Sequence, residues 1–176
     1  MFGLDTTLTI LLILSIVLAG FFEFINGFHD TANAVATVIY TNSMKPTVAV
    51  VYSGLLNFVG VMLGGIAVAM GIVNLLPMDV LVDANPYHGI AMVLALLLSS
   101  IIWNFGTWYL GIPSSSSHTL IGSILGIGLA FYFLPGDLGV TAVNWDKAKD
   151  TGLALLLSPL LGFSAAIIMM FIFKKL

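Results

Sequence analysis

The sequence predicts an all-α polytopic membrane protein of about five membrane helices, two segments of which are broken or re-entrant. Three observations carry this. Of 176 residues, 60% are hydrophobic and only 7% charged, against about 25% charged in soluble domains. The apolar residues form stretches long enough to cross a hydrocarbon core of about 30 Å, which takes roughly 20 helical residues. The charges sit almost entirely in the connections and tail: Lys45; Asp79 and Asp83; Asp137, Asp146, Lys147, Lys149 and Asp150; Lys174 and Lys175. So little charge cannot cover a soluble globule, and so much apolar surface excludes a disordered chain. No Cys is present, which removes disulfides and thiolate metal sites. Five Lys, no Arg and no basic patch exclude nucleic acid and leave the bilayer as the partner.

The first span runs over about 8–24. Val17-Leu18-Ala19 loosely resembles a cleavage site, but no Lys or Arg precedes the apolar run and Asp5 is acidic. The basic start of a signal peptide is missing, so this segment reads as a retained helix. Further spans are expected at about 47–76, 89–110, 119–134 (the shortest) and 152–173. Lys45 puts the first connection in the cytoplasm and the N-terminus outside; Lys174 and Lys175 then fall inside. Lys147 and Lys149 fall outside and oppose this, although three Asp accompany them.

Two places interrupt the simple count. From Thr6 to Thr41 the only acidic, basic or His residues are Glu23, His29 and Asp30. One helix over that stretch would be about 54 Å long, so the chain is expected to break, turn or protrude near Asn26-Gly27. The second interruption is Gly111-Ile112-Pro113-Ser114-Ser115-Ser116-Ser117-His118. Pro113 disfavours continuing the helix before it, and the serines suit the start of the next. Broken helices at membrane depth are tolerated where they line a cavity or are buried in protein, so both interruptions are candidate parts of one site.

Glu23, Asn26, Asp30, Asn33 and Thr37 are spaced 3, 4, 3 and 4 and lie within roughly 80° of one helix face. Asn26 or Thr37 alone would read as interhelical hydrogen bonding. Two carboxylates in an apolar stretch point instead to a bundle interior or a water-filled cavity with a function. A smaller seam of Ser100, Asn104, Thr107 and Gly111 fits packing at least as well. Trp103, Trp108 and Tyr109 read as interface anchors. The run Ser114–Ser117 opens the fourth helix, whose free N–H groups and partial positive charge, with serine hydroxyls, make an anion site that needs no Lys or Arg. A plain N-cap with spare serines is the ordinary alternative, and His118 alone reads as a structural histidine. Gly60 and Gly64, and Gly122 and Gly126, read as helix-packing pairs.

Asn26-Gly27-Phe28-His29-Asp30-Thr31-Ala32-Asn33-Ala34 resembles the first signature of the inorganic phosphate transporter (PiT) family. Gly111-Ile112-Pro113-Ser114-Ser115-Ser116-Ser117-His118 resembles that family's G-[IL]-P-x-S-T-T-H element, and Ile102-Trp103-Asn104 is also similar. The likeness is nearest to the bacterial low-affinity Pit type. It implies one half of an inverted-repeat transporter, with the site between halves. Only the first half is matched, so a fragment or split-gene product is expected first, and an antiparallel pair of copies second. The implied activity is secondary active transport of inorganic phosphate across the cell membrane, coupled to H⁺ or Na⁺, with phosphate travelling free or as a complex with a divalent metal.

On this reading the chain is not an enzyme and takes no cofactor, and arsenate competes with phosphate. Ser115, Ser116, Ser117, Thr119 and Asn33 would bind phosphate. Asp30, Asn26, Glu23 and His29 would serve the coupling ion or proton, with Asp30 the one candidate cation ligand. His29 stands where many members have Asn, and Ser116 and Ser117 where many have Thr, which leaves the coupling ion open. Outside this family the same features fit an anion channel or a non-transporting membrane subunit. An intramembrane hydrolase fits less well, because the spacing implies no nucleophile–base pair.

Overall fold

A computed structural model describes residues 5–64, 66, 70–71, 73–75, 86–133 and 143–175. Asp79, Asp83 and Asp137, expected in connections, lie outside the described residues. Among the described residues there are five long helices: α1 (Thr6–Tyr40), α2 (Pro46–Gly64), α3 (Pro86–Tyr109), α4 (Ser116–Phe133) and α5 (Trp145–Lys175); of the second expected span, 47–76, residues 65, 67–69, 72 and 76 lie outside the described residues. Four of them are long and apolar enough to cross a membrane, and α4 is the shorter apolar helix. The fold is that of an all-helical membrane protein.

Local chemistry sets the helix ends. Asp5 caps α1, its carboxylate accepting the Thr7 N–H at 2.9 Å. The Tyr87 hydroxyl donates to the same carboxylate, and these two bonds hold the Asp5 pKa below its ordinary value. Pro46 and Pro86 stand at first helical positions, where the missing N–H costs nothing. Asn144 caps α5 by accepting the Lys147 N–H at 3.1 Å, and Lys174 and Lys175 close it with favourable charge.

Two C-terminal ends share one geometry. At α1, Asn42 sits at φ 56, Ser43 N–H reaches Val38 O and Asn42 N–H reaches Ile39 O. At α3, Gly111 sits at φ 67, Ile112 N–H reaches Thr107 O and Gly111 N–H reaches Trp108 O. Both are Schellman caps, with the residue after the cap in the left-handed region. Gly111→Ala should cost about 1–2 kcal/mol from backbone strain alone, because a Cβ there meets nothing within 4 Å. The check is the thermal unfolding midpoint in detergent; an unchanged midpoint would remove the strain argument.

The expected break near Asn26-Gly27 does not occur. α1 is one continuous helix of 35 residues, about 52 Å long. A glycine inside a helix costs only about 1 kcal/mol relative to alanine. Here the Gly27 carbonyl also accepts the Thr31 hydroxyl at 2.6 Å. The excess length is carried by extension, not by a turn. The first apolar stretch therefore reaches well past residue 24.

α1 and α3 run parallel and start together, joined by Asp5 and Tyr87. Phe22 and Ile25 of α1 share a buried cluster with Leu97 and Ile101 of α3. Further along, the Phe28 ring meets Trp108 edge-on at 5.2 Å. Trp108 is thus an α1–α3 contact as well as a residue of the α3 end. α4 returns antiparallel, tied to α3 by Ser100 donating to Ser123 at 2.9 Å. Met92, Ile121 and Ile124 form a second cluster, on which Ala148 and Leu155 of α5 rest. α3 ends just before the level of Asp30, whereas α1 continues to Tyr40 beside α2.

The glycine pairs are not used in packing among the described residues. A Cβ at Gly60, Gly64, Gly122 or Gly126 would meet nothing within 4 Å. Gly122 and Gly126 instead line an open groove of about 740 Å³ with Ser99, Trp103 and His118.

Candidate functional site

The Gly111 cap reverses the chain, Pro113 keeps it from resuming at once, and α4 opens at Ser116. Ser115 is the N-cap residue: its carbonyl accepts Thr119 N–H at 3.0 Å and its hydroxyl accepts His118 N–H at 3.4 Å. The Ser116 and Ser117 amides belong to the first turn, which has no intrahelical acceptor for them.

This turn abuts the middle of α1. The Ser116 hydroxyl donates to Asp30 Oδ1 at 2.9 Å, across 86 positions of sequence. The middle of α1 and the turn that opens α4 therefore meet. Ser116 is buried, while Asp30, Ser115, Ser117 and His118 are exposed. The site has one wall packed into the bundle and one wall open. A carboxylate at a helix N-terminus is electrostatically favourable. It also occupies the hydroxyl that an incoming anion would need.

Other predicted site residues are placed as follows. Asn26 donates to Glu23 Oε2 at 3.5 Å, a contact within α1, and Glu23 is exposed. Asn33 stands exposed one turn beyond Asp30. Thr119 is buried and its hydroxyl is committed to the Ser115 carbonyl at 3.1 Å, so it braces the turn from behind. His29 is buried at 7% exposure, and its Nε2 has no hydrogen-bond partner. Because α1 is unbroken, the phase argument holds for the whole of Glu23 to Thr37.

Two residues carry more than the sequence suggests. Ser115 Oγ lies 2.8 Å from His118 Nδ1, a nucleophile–base distance that spacing alone did not imply. The same hydroxyl is the helix cap, and among the described residues no third group orients His118, so the geometry is that of a cap rather than of a triad. In the α3 seam, Ser100 pairs with Ser123, and Thr107 bonds back to Trp103 O and Asn104 O. Asn104 differs: it is 1% exposed and neither amide atom has a partner. Its burial is set by tertiary packing, which helical spacing cannot show.

Among the described residues no group of three His, Cys, Asp or Glu could hold a metal ion.

The chain matches the phosphate transporter family over residues 26–176. It is 49% identical over 173 residues to the low-affinity inorganic phosphate transporter PitA of Escherichia coli K12, covering 98% of this chain and 35% of that protein. It is 40% identical over 167 residues to a probable low-affinity inorganic phosphate transporter of Bacillus subtilis, covering 95% of this chain and 47% of that protein. A probable low-affinity inorganic phosphate transporter of Rhizobium meliloti is 34% identical, with 96% of this chain and 47% of that protein covered. The chain thus spans about a third to a half of the length of these relatives. No solved structure matches it. With the match beginning at Asn26 and containing both segments that meet at Asp30 and Ser116, the chain belongs to the phosphate transporter family.

Proposed function

We propose that this chain supplies one half of a transporter that takes up inorganic phosphate by secondary active transport across the cell membrane, with the N-terminus outside and H⁺ or Na⁺ as coupling ion. The observation that supports this best is the Ser116–Asp30 hydrogen bond of 2.9 Å. It joins an anion-binding element and a cation-binding element at one point.

The coupling follows from the competition there. An ionised Asp30 takes the Ser116 hydroxyl and repels an approaching anion. A proton or cation on Asp30 relieves the repulsion and frees the hydroxyl. Phosphate is then held by Ser116 and Ser117 N–H groups and by the serine hydroxyls, with Asn33 on the open side. Binding of cation and anion is thereby linked, each favouring the other by the same free energy. Asn26, Glu23 and His29 supply polar surroundings to Asp30. A divalent metal that accompanies phosphate enters as part of the substrate. The expected second half, or a second copy of the chain, would close the exposed wall. Transport needs no bond-making group, so no enzymatic role is assigned.

The test uses the whole protein that carries this chain, reconstituted in liposomes with equal phosphate on both sides. An imposed H⁺ or Na⁺ gradient should drive labelled phosphate inward above equilibrium. Arsenate should compete and sulfate should not. Flux that never exceeds equilibrium would identify a channel instead.

A further inference from the structure

α3 and α4 form an antiparallel hairpin whose register is fixed at two points. At one end the Gly111 cap reverses the chain; further down, Ser100 donates to Ser123 at 2.9 Å. Ser100 and Ser123 are equidistant from the centre of the turn, between Gly111 and Ile112. The same holds for Asn104 and Thr119, and for Thr107 and Ser116. Steps of three and four residues keep each set on one helix face. The hairpin therefore carries facing polar rungs: Ser100 with Ser123, Asn104 with Thr119, and Thr107 with Ser116. Ser100, Asn104, Thr107, Ser116 and Thr119 are all buried, as facing residues must be.

The middle rung is incomplete. Neither amide atom of Asn104 has a hydrogen-bond partner among the described residues. The hydroxyl protons around it are already committed: Ser100 to Ser123, Thr107 to the carbonyls of Trp103 and Asn104, Ser116 to Asp30, and Thr119 to the Ser115 carbonyl. Ser123, whose hydroxyl accepts from Ser100, makes no bond to the amide. Thr119 thus faces Asn104 with lone pairs only. Left unpaired, a buried amide costs more than an ordinary hydrogen bond gains.

The donor set identifies what completes the rung. The Asn104 oxygen needs a donor, its NH₂ needs an acceptor, and the Thr119 oxygen can still accept. A cation would serve the oxygens and leave the NH₂ unanswered. Water donates and accepts, and buried water characteristically bridges about three otherwise unpaired groups. Thr119 and Ser123 also line the open groove beside the seam, which gives water a way in. We infer that Asn104 and Thr119 hold an internal water between α3 and α4. The Thr119 hydroxyl in turn holds the Ser115 carbonyl, so this water braces the turn that opens α4 from behind. Asn104 is a positioning residue. The water site is independent of the transport reading; its effect on phosphate rests on that reading.

The test is a structure of the whole protein in lipid nanodiscs, at a resolution that shows ordered water, with uptake measured in liposomes. The wild type should show water density within hydrogen-bond distance of Asn104 Oδ1 and Thr119 Oγ1. Asn104→Leu, of similar size but apolar, should lose that density. It should raise the half-saturating phosphate concentration about fivefold, the weight of one ordinary hydrogen bond, with the maximal rate unchanged. Asn104→Ser, smaller and polar, should keep both the water and the wild-type half-saturating concentration, and it carries the test if the leucine variant does not fold. A wild type in which the Asn104 amide bonds directly to protein, with no water in the rung, overturns the inference, as does density that persists in Asn104→Leu. Loss of the water with an unchanged half-saturating concentration overturns the bracing role. Water in the rung of a protein that never accumulates phosphate would sink the transport reading and leave the water site standing.

Discussion

Asp30→Asn should abolish concentrative phosphate uptake while leaving membrane insertion and the fold intact. The replacing amide is nearly the same size and keeps a hydrogen-bonding group against the Ser116 hydroxyl, so the α1–α4 contact seen at 2.9 Å survives. What is lost is the charge. Without it the Ser116 hydroxyl has no carboxylate beside it to take a proton, and only a neutral amide oxygen there for a cation. The repulsion that makes anion binding wait for the cation disappears with it. Phosphate should therefore still bind, and exchange of labelled for unlabelled phosphate should persist without an ion gradient. Accumulation above equilibrium should fall to background. Both are read from one preparation in liposomes. Persistent accumulation would show that the coupling ion is held elsewhere.

The second large effect is expected at the opposite partner. Changing Ser115, Ser116 and Ser117 together to Ala should raise the half-saturating phosphate concentration tenfold or more. Hydrogen bonds to a charged group contribute about 1.5–3 kcal/mol each, and about 1.4 kcal/mol is tenfold in affinity. The backbone N–H groups remain, so binding weakens and is not abolished. Ser115 caps α4, and losing a cap costs about 1 kcal/mol of helix stability. The single change Ser115→Ala therefore sets the baseline, and the excess effect of the triple change belongs to Ser116 and Ser117. An unchanged half-saturating concentration would remove the hydroxyls from the site.

Much of the architecture was legible because membrane helices announce themselves by length and hydropathy. The turn between α3 and α4 was legible for a local reason: Gly111, Pro113 and the serines each restrict the backbone in a way the sequence states. Near Asn26-Gly27 a break, a turn or a protrusion was expected on a global criterion, and of these the break and the turn do not occur. The expectation there rested on total helix length against bilayer thickness, but no residue in that stretch forbids helix. Gly27 is permissive rather than prohibitive, and local hydrogen bonding prevailed.

The site was legible in part. Spacing put Glu23 through Thr37 on one face, and the continuous α1 makes that face real. Spacing could not reveal that Asp30 would meet Ser116, because that contact depends on α1 and α3 starting at a common level. Nor could it separate Ser117, left open, from Thr119, whose hydroxyl turns back into its own helix. Asn104 shared a seam with Ser100 and Thr107 in the sequence, yet those two find partners and Asn104 does not.

The unequal lengths of α1 and α3 have a kinetic consequence. Beyond Asp30, α1 runs on for ten residues, Thr31–Tyr40, about 15 Å, while α3 has already turned. The floor of the site is therefore a ledge, reached along one helical wall that displays Asn33 and Thr37. On the transport reading proposed above, an anion arriving from that side would meet Thr37, then Asn33, then Ser117. It would exchange its water shell for protein groups one contact at a time. Stripping all of that shell at a single threshold would impose a far higher barrier on an ion as strongly hydrated as phosphate. On that reading the stagger of the two helices would divide one steep dehydration step into several shallow ones.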